Sequence, residues 1–124
     1  MNTIAEKISD SELEVMKVLW EAGDALSITE IRTLLQERKG WEATTVKTLV
    51  SRLTSKGAIR QEKRKVFYYH PLISEEEYRN WAARDMVDRL FRGSTGNLIA
   101  TLVRSSDLQE EDLAELRSMF HVEE

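Results

Sequence analysis

WEATTVKTLVSRLTSKGAIRQEKRKVFYYHP, residues 41–71, is the stretch whose reading decides the fold. Val46, Leu49, Val50 and Leu53 recur at helical spacing, so a helix from about Ala43 to Gly57 has one apolar stripe. The opposite stripe is Thr48, Ser51, Arg52 and Ser55, with Thr44, Thr45 and Lys47 at its N-terminal edge and no carboxylate after Glu42. Exposed helix faces usually mix both signs of charge; this one carries only hydroxyls and cations. After Gly57, Ala58-Ile59-Arg60 reads as a short strand, Gln61 to Lys65 as a charged turn and Val66 to His70 as a second strand. Pro71 closes that strand, because it has no N–H to give a ladder. A helix, a strand, a basic hairpin tip and a strand in that order predict a winged helix-turn-helix. Residues 41–70 hold seven bases and two acids, a local charge of +5 in a chain of net −4. Binding a polyanion requires such a local patch, not a basic whole.

Outward from this stretch, one capping chemistry opens three more helices. Ser9-x-x-Glu12, Ser27-x-x-Glu30 and Ser74-x-x-Glu77 each fit the box in which serine and glutamate satisfy orphan backbone donors. A helix is expected from Asp10 to Ala22, with Leu13, Met16 and Trp20 on a stripe widened by Val15 and Leu19, and Gly23 as its stop. Another is expected from Ile28 to about Lys39, buried through Ile28, Ile31, Leu34 and Leu35 and stopped by Gly40, with Ala25-Leu26 as a short strand before it. Beyond Pro71 a long helix, Glu75 to about Arg92, spreads Tyr78, Trp81, Ala82, Met86, Val87, Leu90 and Phe91 over more than one stripe. Leu98, Ile99, Leu102 and Val103 mark a shorter helix. Leu113, Leu116 and Phe120 mark a last one, after Glu110-Glu111-Asp112, whose charge suits a helix N-terminus.

The expected architecture is therefore mainly α: a winged helix-turn-helix of three helices and a small β-hairpin wing over 1–71, then a helical dimerisation region over 72–124. That second region holds more large apolar groups than three helices can bury alone, and two copies would build one shared core. Its candidate dimer residues are Trp81, Met86, Leu90, Phe91, Leu98, Ile99, Leu102, Leu113, Leu116 and Phe120. Trp20, Trp41 and Trp81 are expected to anchor cores rather than stack on bases. Phe67, Tyr68 and Tyr69 alternate faces along their strand, one face packing beneath the wing.

Composition bounds the function. The 124 residues, with 32% charged side chains, five glycines and one proline, suit a helix-rich chain with short connections. The absence of cysteine excludes a disulfide framework and any thiolate metal site, and fits a reducing, cytoplasmic setting. No apolar run approaches the roughly 18 residues a membrane span needs, so no membrane insertion is expected. MNTIAEKISD lacks the apolar core of a signal peptide. His70 and His121 stand apart from each other and from any HExxH pattern, so neither metal nor cofactor is expected. With no phosphate-cradling glycine loop, nucleophile elbow or cysteine nucleophile, an enzyme is not expected. Residues 1–40 and 71–124 carry net charges of −3 and −6, which read as solvated helical surface. An acidic C-terminal half would be held away from a phosphate backbone.

The candidate DNA contacts are Thr44, Thr45, Lys47, Thr48, Ser51 and Arg52 on the helix, and Lys63, Arg64 and Lys65 at the hairpin tip. Lys47 and Arg52 offer donors to guanine edges or phosphates, and threonine methyls and hydroxyls suit thymine or backbone. Two other readings stay open. The same fold serves as a protein-interaction module, although such interfaces favour aromatics and Met over hydroxyls and Lys. It also serves as a ligand-gated regulator, for which no residue cluster here compels a pocket.

Five segments resemble one family nearly end to end. ISDSELEVMKVLW (8–20), WEATTVKTLVSRLTSKGAI (41–59), YYHPLISEEEY (68–78), LFRGSTGNLIATLV (90–103) and LQEEDLAEL (108–116) are similar to the BlaI/MecI penicillinase repressors, which include the CopY-type copper-responsive repressors. The resemblance implies a homodimer that binds double-stranded DNA at an inverted-repeat operator and represses transcription. It implies reading contacts from Thr44, Thr45, Lys47, Thr48 and Arg52, wing contacts from Arg64 and its neighbours, and a membrane sensor-protease as a further partner. It also implies release by proteolysis, commonly at an Asn-Phe bond, which here corresponds to Thr101-Leu102. Leu102 keeps the apolar residue after the bond, whereas Thr101 replaces the amide side chain. Two departures matter. Lys63 stands where the family often has a wing-tip glycine, and the paired C-terminal cysteines of the copper sensors are absent, which excludes copper-thiolate sensing.

Overall fold

The computed structural model describes residues 3–105 and 107–119. Its elements are α1 (Thr3–Lys7), α2 (Asp10–Ala22), β1 (Leu26–Ser27), α3 (Ile28–Lys39), α4 (Ala43–Lys56), β2 (Ile59–Lys63), β3 (Phe67–Pro71), α5 (Glu75–Leu90), α6 (Thr95–Ser105) and α7 (Glu110–Met119). The fold is mainly α, a winged helix followed by C-terminal helices. The chain divides into two compact units, residues 1–83 and 84–124, and the division falls within α5.

All three serine–glutamate boxes form. Ser9 and Glu12 exchange bonds of 3.2 and 2.9 Å at α2, Ser27 and Glu30 bonds of 3.1 and 2.9 Å at α3, and Ser74 and Glu77 bonds of 3.0 and 2.9 Å at α5. Helix α4 starts differently, since Glu42 at its N-cap makes no side-chain cap bond. At its other end Gly57 turns left-handed, with φ 79°, and its N–H reaches the carbonyls of Leu53 and Thr54. Ala58 N–H then bonds the Leu53 carbonyl at 3.0 Å, so the chain leaves α4 directly into β2.

The three strands are ordered β1-β3-β2, every pair antiparallel. The β2–β3 ladder runs from Ile59 opposite Pro71 to Lys63 opposite Phe67. The first wing strand is thus longer than the sequence suggests. Gln61, Glu62 and Lys63 belong to it, and the turn shrinks to Arg64, Lys65 and Val66. Charge hides such a strand from sequence pattern, because its residues are paired through the backbone while their side chains stay wet. The two-residue β1 falls one position later than expected, with Leu26 opposite Tyr69 and Ser27 opposite Tyr68. Helix α1 was not foreseen. Five residues are too few for a period to declare itself, although Ala5 is buried beside Ile8 just beyond it.

The first unit has one core. Val15, Met16, Val18 and Leu19 of α2 meet Ile31 and Leu35 of α3, Val46, Val50 and Leu53 of α4, and Ile59 and Tyr69 of the sheet. Leu13 and Trp20, expected at the centre of the α2 stripe, are half-buried at its rim, because α2 packs on α3, α4 and β3 together. All three tryptophans pack against this core, Trp81 among them although the sequence also offers it as a dimer residue. Trp20 Nε1 donates to the Ile73 carbonyl at 2.9 Å, and the Trp20, Tyr78 and Trp81 rings follow one another at 5.7 and 5.8 Å. That column seats the first turns of α5 on the winged domain.

The second unit is organised differently. Val87 is its one buried residue among those described, and α6 and α7 bury none. Ser94 Oγ caps α6 through Asn97 N–H at 3.1 Å, and Asp112 receives Gln109 N–H at 3.0 Å before α7. Ile99, Leu102, Leu108, Leu116 and Met119 line an apolar cleft of about 380 Å³ between these two helices. Leu90, Leu102, Val103 and Met119 are exposed.

Candidate nucleic-acid interface

Because Val46, Leu49, Val50 and Leu53 are buried, the helical period forces the other side of α4 outward. Thr44, Thr45, Lys47, Thr48, Ser51, Arg52 and Ser55 are all exposed on it. Lys47 and Arg52 form no ion pair among the described residues, so their full charge faces solvent. Thr48 Oγ1 donates to the Thr44 carbonyl at 2.9 Å, which spends its hydroxyl proton. What Thr48 can still offer a ligand is an acceptor oxygen and a methyl group, the second suited to a thymine methyl.

The wing brings Lys63, Arg64 and Lys65 together at its tip, and all three are exposed. Their electrostatics differ. Glu62 receives Arg64 through two bonds of 3.2 Å, from Nε and from Nη2, and also faces His70 Nε2. The Arg64 guanidinium and then the His70 ring hold the Glu62 carboxyl down at about 2, so it stays ionised beside the tip. Arg64 also lies 4.3 Å from the centre of the Tyr68 ring. Two of its five donors are therefore engaged and its charge is locally balanced, whereas Lys63 and Lys65 form no ion pair among the described residues. Nothing in the sequence sets Arg64 apart as the balanced one of the three; the Glu62 bridge that does so comes with the longer β2. Of the three wing aromatics, Tyr69 is buried with its hydroxyl accepting from Gln61 Nε2 at 2.8 Å, Tyr68 is half-buried, and Phe67 is exposed.

Two clefts flank α4. One, of about 470 Å³, lies between α3, α4 and the wing, with Arg32, Lys47, Ser51, Gln61 and Phe67 among its walls. The other, of about 330 Å³, lies at the α3–α4 elbow and is walled by Thr29, Arg32, Thr33, Gln36, Trp41, Glu42 and Ala43. The α3 residues were not among the sequence candidates, because one exposed arginine on an otherwise ordinary helix carries no local signal.

The remaining candidates lie elsewhere. Trp81 belongs to the aromatic column on the first unit. Met86 and Leu90 of α5 and Leu102 of α6 are exposed, while Phe91, Leu98, Ile99, Leu113 and Leu116 are half-buried. Phe120 and His121 lie outside the described residues. The Thr101-Leu102 bond sits inside α6, with Thr101 half-buried and Leu102 exposed. Among the described residues no group of acids and histidines is arranged to hold a metal ion, and no helix is long and apolar enough to cross a membrane.

Comparison with known proteins gives this surface its family. The methicillin resistance regulatory protein MecI of Staphylococcus aureus (strain N315) is 30% identical over 122 residues, 98% of each chain. The penicillinase repressor of Bacillus licheniformis is 32% identical over 111 residues, 89% of this chain and 86% of that one. The solution structure of the B. licheniformis BlaI monomeric form in complex with the blaP half-operator superposes with a TM-score of 0.52 at 40% identity, over 58% of this chain and 88% of that one. The penicillinase repressor family model matches residues 8–121, and with the winged helix and its cationic outer face in place, the chain belongs to that family.

Proposed function

We propose that this chain is a cytoplasmic transcriptional repressor that binds an inverted-repeat operator in double-stranded DNA as a homodimer. One observation carries the reading: α4 turns seven exposed residues outward, all hydroxyl-bearing or cationic, with Lys47 and Arg52 unpaired among the described residues. In this reading Thr44, Thr45, Lys47, Thr48, Ser51 and Arg52 enter the major groove, and Lys63, Arg64 and Lys65 hold adjacent phosphates. Residues 1–71 bind and residues 72–124 dimerise. The BlaI complex with a half-operator supports a scheme of one winged domain per half-site. Exposed apolar side chains on α5, α6 and α7 support a second copy as their cover. The protein has no catalytic task. Release follows a cut near Thr101-Leu102 by a membrane sensor-protease, which would divide α6 and remove α7 from the shared surface.

Replacing Arg52 tests the reading surface. Arg52→Ala is expected to cost about 1–3 kcal/mol of operator binding and to narrow the gap between operator and random DNA. With about 6–10 phosphates neutralised per dimer, operator affinity should fall roughly 10³–10⁵-fold between 50 and 200 mM salt. Wild-type binding of both DNAs by Arg52→Ala would show that α4 does not read sequence, and affinity indifferent to salt would rule out the polyanion interface.

A further inference from the structure

The cations of the first unit fall into two groups. Lys17, Arg38, Lys39, Lys56, Arg64 and Arg79 each lie within ion-pair distance of a carboxylate. Lys47, Arg52, Arg60, Lys63 and Lys65, all on α4 and the wing, form no such pair among the described residues, and neither do Lys7 of α1 and Arg32 of α3. Apart from Lys7, the cations without such a pair thus lie on α4, the wing and α3. Arg32 is the outlier in position. It is exposed near the middle of α3, and it is the one residue that walls both clefts beside α4.

We propose that Arg32 is a backbone-phosphate contact, so that the DNA surface extends from α4 onto α3 through the cleft that α3, α4 and the wing share. The proposal rests on the DNA-binding reading above. In a helix-turn-helix the first helix crosses the phosphate backbone while the second lies in the groove, and α3 and α4 hold those places. The cleft that Arg32 shares with Lys47 and Ser51 contains no carboxylate. The elbow cleft contains Glu42, which would repel a phosphate and forms no ion pair with Arg32. Charge therefore sets the phosphate on the Lys47 side, where a guanidinium, an ammonium and the Ser51 hydroxyl line the same cleft. A guanidinium presents a planar fork that matches two phosphate oxygens, and it keeps its charge at every working pH. A contact of this kind holds any duplex alike and carries no sequence information.

The test uses the full-length chain and a mixed-sequence duplex of roughly 30 base pairs, with binding followed across a salt series. Arg32→Ala should make the slope of log affinity against log salt shallower by about 0.9 for each subunit in contact, with an unchanged melting temperature. Arg32→Lys, which keeps the charge, should hold the wild-type slope. Lys65→Ala serves as the reference for the wing. A wild-type slope in Arg32→Ala beside a shallower one in Lys65→Ala would overturn the assignment of Arg32 and leave the α4–wing reading standing. Wild-type slopes in both would overturn the two together. An Arg32→Lys variant as impaired as Arg32→Ala would show that charge is not what Arg32 supplies.

Discussion

Glu12 illustrates how one side chain can join secondary structure to the placement of the binding helix. It is only 1% exposed, yet its carboxylate accepts the Ser9 N–H at 2.9 Å and Lys56 Nζ at 2.6 Å. Lys56 is the last residue of α4, and its ammonium also reaches the Lys7 carbonyl at 2.8 Å. The pair therefore ties the C-terminal end of α4 to the start of α2. Burial pushes the Glu12 carboxyl up, but the bonds from Lys56 and Ser9 outweigh it and leave the group below its ordinary value of 4.5. A carboxyl depressed on folding contributes stability that is complete above the unfolded value and disappears as pH falls through the folded one. Glu12→Gln should cost about 1–3 kcal/mol near neutrality, because it leaves the Lys56 ammonium without its counter-charge. Denaturant titrations from pH 7 to pH 3 should show the wild type converging on the variant below about 4.5, the unfolded value. A constant gap across that range would remove the ion pair from the explanation.

At the scale of the element, the wing is less cationic than its composition. Glu62 neutralises Arg64 and faces His70, so the tip offers the unbalanced charge of Lys63 and Lys65 alone. Glu62→Gln would free Arg64, which sits on the Tyr68 ring and would keep its position there. Binding to mixed-sequence DNA at low salt should then tighten severalfold, and the salt slope should steepen by about 0.9 per wing in contact. The ratio of operator to random binding should fall, since the charge freed on Arg64 is indifferent to sequence. Gel-shift titrations of the variant against both DNAs measure this directly. Unchanged affinity would mean that the tip does not touch the backbone.

For the whole molecule, the position of the division within α5 matters. The winged unit runs to residue 83, because Ile73 is buried and Tyr78 and Trp81 pack against its core. A chain ending at Pro71 would lose the Trp20–Ile73 bond and the whole aromatic column. Residues 1–83 should therefore melt cooperatively and bind DNA weakly as a monomer, whereas residues 1–71 should be less stable by several kcal/mol, as expected when large buried aromatics are removed. Thermal melts of the two fragments and sedimentation of the longer one check both statements. Equal stability would show that the α5 start is an ornament on the winged fold, and a dimer of residues 1–83 at micromolar concentration would remove self-association from the C-terminal helices. The weak binding has its own cause: joining two winged domains raises the effective concentration of the second half-site contact.

Sequence alone determined the parts of this protein that follow local rules. The serine–glutamate boxes mark α2, α3 and α5, Gly57 ends α4, and the spacing of Val46, Leu49, Val50 and Leu53 sends Thr44, Thr45, Thr48, Ser51, Ser55 and the free cations of α4 outward. Each signal spans a few residues, because capping, backbone handedness and the helical period act over one or two turns. Tertiary structure alone decided the rest. Lys56 finds Glu12 across 44 residues, β2 extends to Lys63 because β3 pairs with it, Trp81 lies on the winged core, and Arg32 comes to stand beside Lys47. Those outcomes depend on which faces meet once the core has closed. No period within one element encodes them, since whether an arginine's charge is balanced or left free is set by whatever folding brings within a few ångströms of it.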